Sequence, residues 1–216
     1  MTITYYPGCK VKAAYPKESA ALEDYILGRG DIRVTGCCRK NWEGFGPDDT
    51  AVVVCNNCHE ILGESSGQRI VNVYQILNED PHFNFPDYGG EQMALQDCWI
   101  ATGNHQAQYA VRSLLKKMNI QVIELANNRD DCRFCGTNII TPASASNVDL
   151  APRRWVDKKA AELQLIPAEE WDAYFHEQCK DIPTEKVACY CKFCGDGLSC
   201  GGKKPVHILQ LLFPEA

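Results

Sequence analysis

Two stretches far apart in the chain, VVVCNNCHEIL at residues 52–62 and VACYCKFCGDGL at 187–198, read as one unit written twice. Each is an apolar run that ends in a Cys-x-x-Cys pair. Each is followed by another matching stretch, IVNVYQIL at 70–77 and PVHILQLL at 205–212. A repeat of this length constrains the fold more than any single motif, because each copy must build the same supersecondary unit. The order is also kept upstream. The first half opens on ITYYPGCK, a β-rich run ending at Cys9, and the second on MALQDCWI, ending at Cys98. A helix-compatible stretch follows in each. PKESAALEDYILGRG places Ala21, Leu22, Tyr25 and Ile26 at one-face spacing, and QAQYAVRSLLKKMN does so with Tyr109, Val111, Leu114, Leu115 and Met118. DIRVTGCC and IQVIELANNRDDCRFCG then supply a strand and a cysteine cluster, TAVVVCNNCHEIL a strand with the first Cys-x-x-Cys, and RIVNVYQILNED an amphipathic helix. The stretch 148–178 is an insert in the second half and reads as mostly helical.

Strands alternating with helices predict parallel pairing through right-handed crossovers. The expected architecture is therefore α/β, two tandem pseudo-symmetric Rossmann-like domains, residues 1–88 and 89–216. Their boundary falls in the Pro-, Gly- and Asn-rich NEDPHFNFPDYGGEQ. In such sheets ligands gather at the carboxyl ends of the strands, where each half places its cysteines. Two facing halves would bring two cysteine sets near the domain interface.

Thirteen cysteines in 216 residues bear on chemistry as well as fold. MTITYYPGCK lacks the basic start and apolar core of a signal peptide, and no apolar run reaches the ~18 residues of a membrane span. A cytoplasmic protein is expected, in which clustered cysteines bind metal or do catalysis rather than form a disulfide framework. A net charge of −6 argues against nucleic acid as the partner. The vicinal Cys37 and Cys38 do not bridge each other readily. Neighbouring Cα atoms sit ~3.8 Å apart, and a disulfide wants roughly 4.4–6.8 Å. Cys9, Cys37, Cys38, Cys55 and Cys58 are five thiols, one more than tetrahedral zinc takes, and they do not follow the ferredoxin run. The second half offers Cys98, Cys135, Cys191 and Cys194, with Cys132 or Cys189 as a fifth. Cys179 and Cys200 stand outside these spacings and read as small buried hydrophobes.

YPGC, the pair CC, VVVCNNCHEIL, DC, NNRDDCRFCG and ACYCKFC together resemble the cysteine-rich CCG repeat of heterodisulfide reductases and related iron–sulfur proteins. The resemblance runs along nearly the whole chain. It implies two CCG domains and two [4Fe–4S]-type clusters, at least one of them a candidate for the noncubane form held by five cysteines, with zinc in one site as the alternative. It implies as ligands Cys9, Cys37, Cys38, Cys55 and Cys58, then Cys98, Cys132, Cys135, Cys191 and Cys194. The activity implied is reduction of a small disulfide or thiol substrate, with electrons from a flavoprotein or ferredoxin-like iron–sulfur subunit. This chain departs from the pattern at Arg39, where the family has Gly, and at Phe134, where it has the first cysteine of the pair. His59 and His105 are candidate proton donors beside Cys58 and Cys98. Lys10, Arg39 and Lys40 flank the first set and would lower thiol pKa values or attract an anion. Trp42 and Phe45 would shield a cluster or simply pack. No flavin, nicotinamide or P-loop fingerprint is present. The runner-up readings are an electron-transfer subunit without its own substrate, a zinc-binding module, and a thioredoxin-like dithiol protein.

Overall fold

A computed structural model describes residues 1–138 and 141–216. In the first half, β1 (Ile3–Tyr6) leads into α1 (Cys9–Ala14) and α2 (Pro16–Leu27). β2 (Ile32–Val34), β3 (Thr50–Val53), α3 (Asn56–Ser65), β4 (Arg69–Asn72) and α4 (Val73–Glu79) follow. The second half runs β5 (Gln92–Gln96), α5 (His105–Lys117), β6 (Gln121–Glu124) and the insert with α6 (Ala145–Leu150), α7 (Lys159–Glu162) and α8 (Trp171–Cys179). It closes with β7 (Lys186–Cys189), α9 (Lys192–Cys200), β8 (Lys204–His207) and α10 (Ile208–Leu212). The strands form two four-stranded sheets, ordered β2-β1-β3-β4 and β6-β5-β7-β8. Their pairings are parallel, and each sheet draws on one half of the chain.

The central strands are buried on both faces, as parallel sheets covered by helices require. Tyr5, Ala51, Val53, Ala94, Leu95, Val187 and Ala188 are almost wholly inaccessible. Against them lie Leu22 and Ile26 of α2, Ile61 and Leu62 of α3, and Val111, Leu114 and Leu115 of α5. Each such side chain stabilises the fold by about 1.5–3 kcal/mol relative to exposure.

Several sequence expectations are corrected. Tyr109 is not on the buried face of α5 but 67% exposed. That face is Ala107, Ala110, Val111, Leu114 and Leu115, a 3–4 spacing from which position 109 is displaced. Ala21 and Tyr25 are only half-buried beside Leu22 and Ile26. The closing amphipathic helix of each half is two elements, a short strand and a short helix. In both, a capping residue turns the chain: Asn72 paired with Gln75, and His207 paired with Gln210. The insert is helical in short pieces, including a π-helix over Arg153–Lys158. Among the described residues no helix is long and apolar enough to cross a membrane.

Candidate metal centres

Every cysteine cluster follows the carboxyl end of a strand. Cys9 opens α1 after β1, Cys37 and Cys38 follow β2, and Cys55 caps α3 after β3. Cys98 caps a 3₁₀ turn after β5, and Cys191 caps α9 after β7. All thirteen cysteines are free thiols.

The first-half thiols form a contact chain: Cys9 meets Cys37, Cys37 meets Cys38, Cys38 meets Cys58, and Cys58 meets Cys55. Gly8, at φ 67°, permits the close turn. A Cβ there would sit 3.0 Å from the Cβ of Cys55. The Cys58 thiol is pushed well up by its hydrogen bonds to Cys38 and Cys55 and by burial. Cys38 and Cys55 are held below the ordinary thiol range, each chiefly by the hydrogen bond from Cys58. The backbone N–H groups of Asn57 and Cys58, at the start of α3, add to the effect on Cys55. Of these three thiols, Cys58 is thus the last to lose its proton. Cys9 is exposed and Cys37 and Cys55 are half-buried, so this nest opens to solvent at one edge.

In the second half, Cys98, Cys191 and Cys194 bring their sulfurs within 4.8 Å of one another, all buried. Cys194 is pushed well up by burial and by its two neighbours. On Cys191 the Cys194 thiol acts downward, but Cys98 and burial outweigh it. Cys132 and Cys135 are also buried but do not join this trio. The Cys132 thiol donates to the carbonyls of Asp97 at 3.3 Å and Phe134 at 3.5 Å, while Cys135 lies by Lys159 and Tyr174. Cys189 is wholly buried, with its pKa driven up by burial and by Cys191. The nests approach each other, since the charge of Cys191 is felt at Cys55.

Arg39 reaches across to α6 and donates to Asn147 Oδ1 at 2.9 Å. Asn57, inside the first Cys-x-x-Cys, is held by the same oxygen and by Trp155 Nε1 at 2.8 Å. The second-half insert therefore clamps the first-half nest. His59 bonds Glu60 at 3.1 Å and lines a cavity of about 330 Å³ with Arg153, Arg154 and Lys158. His105 is exposed and bonds Asp130 at 2.6 Å. Trp42 and Phe45 are half-buried, Lys10 and Lys40 exposed.

The sequence reading missed Asp97. This fully buried carboxylate accepts from Arg112 Nη2 at 2.6 Å, Tyr190 Oη at 2.7 Å and the Arg129 N–H at 2.7 Å. It fixes the turn bearing Cys98 and the tyrosine between Cys189 and Cys191. The only sequence signal is an acid beside a cysteine, too common to single out.

The second-half donor set fits a soft metal, with three buried thiols within bonding reach of one ion or cluster. The five first-half thiols meet only in successive pairs, and no three of them come within 4.8 Å of one another. Comparison with known proteins returns no matching family model, no matching curated protein and no matching solved structure.

Proposed function

We propose that this chain is an iron–sulfur oxidoreductase built from two pseudo-symmetric CCG-type domains, taking electrons from a partner protein to reduce a small disulfide. One observation carries the reading: two thiol nests sit at equivalent strand ends of two sheets with the same strand order, one nest sealed and one open to solvent. The repeated capping boxes at Asn72 and His207 support the duplication. Cys9, Cys37, Cys38, Cys55 and Cys58 would hold the first centre, and Cys98, Cys191 and Cys194 the core of the second. When bound, the clusters supply one-electron redox steps at a soft, thiolate-rich site. The reaction consumes two electrons from the partner and two protons from solvent, and it converts one disulfide into two thiols. The chain's own part is to keep the second nest dry and to present the open edge at Cys9 and Cys37 to substrate. The buried trio also suits zinc with a fourth ligand, which makes a redox-silent second site the competing reading.

Anaerobic purification followed by iron, zinc and acid-labile sulfide analysis tests the cofactor. Brown protein with iron and sulfide is expected, and colourless protein carrying zinc alone overturns the proposal. Activity is then tested by the reoxidation of chemically reduced protein. Acceleration by a disulfide supports the reductase; an unchanged rate with every disulfide leaves an electron-transfer subunit.

A further inference from the structure

A cleft of about 330 Å³ lies where the two halves of the chain meet, lined by His59, Glu60, Gly63 and Glu64 of α3 and by Arg153, Arg154 and Lys158 of the insert. Its size is at the lower end of pockets that take small molecules. No cysteine lines it, and no step of the disulfide reduction uses it. Ion pairs join its two walls. Glu60 accepts from Arg154 Nε at 2.7 Å and bonds His59 Nδ1 at 3.1 Å. Glu64 accepts from the N–H groups of Arg153 at 2.9 Å and Arg154 at 3.0 Å, and from Arg153 Nε at 3.3 Å. The rest of the Arg154 guanidinium is committed to Thr102 Oγ1 at 2.9 Å and to the carbonyls of Thr102 and Trp99.

Both carboxylates are therefore taken, and positive charge is left over. Lys158 Nζ makes one hydrogen bond, to Thr102 Oγ1 at 2.6 Å, while Glu162 stands 4.0 Å away, outside hydrogen-bonding distance. The two Nη nitrogens of Arg153 have no partner among the described residues. The His59 ring keeps its second nitrogen, which can donate to or accept from a ligand. Burial and the neighbouring Arg154 hold the Lys158 ammonium below its ordinary range. A half-buried cation short of a counter-charge is unfavourable, and an anion in the cleft would relieve it.

We propose that this cleft binds a phosphate group, free or as a monoester, with Lys158 and Arg153 as its charged donors and His59 beside it. An ammonium and a guanidinium fork suit the charge and the several acceptor oxygens of phosphate. Bound there, the anion would bridge α3 and the insert.

The test uses the full chain, purified anaerobically with whatever metal it carries, at low ionic strength, where such contacts are least screened. Titration calorimetry should show one inorganic phosphate bound per chain, and phosphate should raise the melting temperature. Lys158→Gln and Arg153→Gln should each weaken binding about tenfold or more, as loss of a hydrogen bond to a charged group does. Lys158→Arg should retain binding, and Lys204→Gln, an exposed residue outside the cleft, should leave it unchanged. No saturable binding overturns the proposal, as does binding that Lys158→Gln and Arg153→Gln leave intact. Acetate should bind more weakly, and equal affinity for acetate overturns the assignment to phosphate. Ribose 5-phosphate binding more tightly than phosphate assigns the site to a monoester, and the reverse order assigns it to the free ion. Should Lys158→Gln fail to fold for want of its Thr102 contact, Arg153→Gln, whose side chain is exposed, decides alone. The result does not depend on the iron and sulfide analysis, so failure here and failure of the oxidoreductase reading are told apart.

Discussion

Gly136 shows how closely one residue can be specified. Its φ is 52°, and a Cβ built on it would lie 1.7 Å from the carbonyl oxygen of Phe193 and 2.8 Å from the Cα of Cys194. The absent side chain is what lets the turn after Cys135 lie against the Cys191–Cys194 loop. Gly44, with φ 81°, has nothing within 4 Å of its would-be Cβ. Replacing Gly44 by Ala should cost only the left-handed backbone term, about 1–2 kcal/mol. Gly136→Ala must also displace backbone, so denaturant unfolding should show a loss of about 3 kcal/mol or more, with loss of metal from the second centre. Equal losses for the two would refute the packing argument. At this scale the Cys-x-x-Cys pairs are legible because their spacing repeats, whereas Gly136 is not, since what excludes a side chain there is the distant backbone of Phe193 and Cys194. Asp97 was not, since its role depends on Arg112 and Tyr190, which approach from other elements. Tyr109 was misplaced because an aromatic was counted onto a face that the 3.6-residue turn does not give it.

The paired strand-to-helix corners show what an element can and cannot reveal from sequence. IVNVYQIL and PVHILQLL were recognisable as equivalents, but their apolar patterns are too short to separate a four-residue strand from the helix behind it. The cap explains the break. Asn72 and His207 each accept an N–H from their helix, and Gln75 and Gln210 bond back to the caps. The first half uses an amide that never titrates. The second uses an imidazole, and burial depresses its pKa to about 3. Its unfolded-state value is about 6.5. Between these values the unfolded chain binds the proton and the folded one does not, so the stability tied to neutral His207 is complete above about pH 6.5 and is lost as pH falls toward 3. The slope is at most about 1.4 kcal/mol per pH unit. His207→Asn, which borrows the first half's solution, should retain the cap and flatten this part of the acid limb. Unfolding free energies of the two proteins measured from pH 7 to pH 4 check this. Parallel curves would mean that the imidazole is not held neutral.

Across the whole molecule the two nests differ most in their access to water. In the second, Cys98, Cys132, Cys135 and Cys194 are wholly inaccessible and Cys191 is 8% exposed. In the first, Cys9 is exposed and Cys37 and Cys55 are half-buried. The repeated order of strands and cysteines is readable in the sequence, but this asymmetry is not, because the cover over the first nest comes from residues distant in the chain. Asn147 of α6 and Trp155 of the insert hold Asn57 and Arg39 over one side of the first nest, leaving the Cys9 edge uncovered. Arg154 ties the same segment to Glu60 at 2.7 Å and to Thr102 Oγ1 at 2.9 Å, joining α3 to the turn after Cys98. With the thiols reduced and metal-free, access should outweigh acidity in setting reactivity. Cys9 has a raised pKa, chiefly from partial burial and the neighbouring Cys37 thiol, but a buried thiolate cannot meet an alkylating reagent at all. Timed iodoacetamide labelling read by peptide mass spectrometry should therefore mark Cys9, Cys37 and Cys55 before any of Cys98, Cys132, Cys135 or Cys194. The half-buried Cys200 outside both nests serves as the internal reference. In metal-loaded protein, the same order predicts that a chelator strips the first centre while the second persists until unfolding. If the second-nest cysteines label as fast as Cys9, the sealed and open roles of the two nests are wrong, and with them the case that substrate meets the first centre.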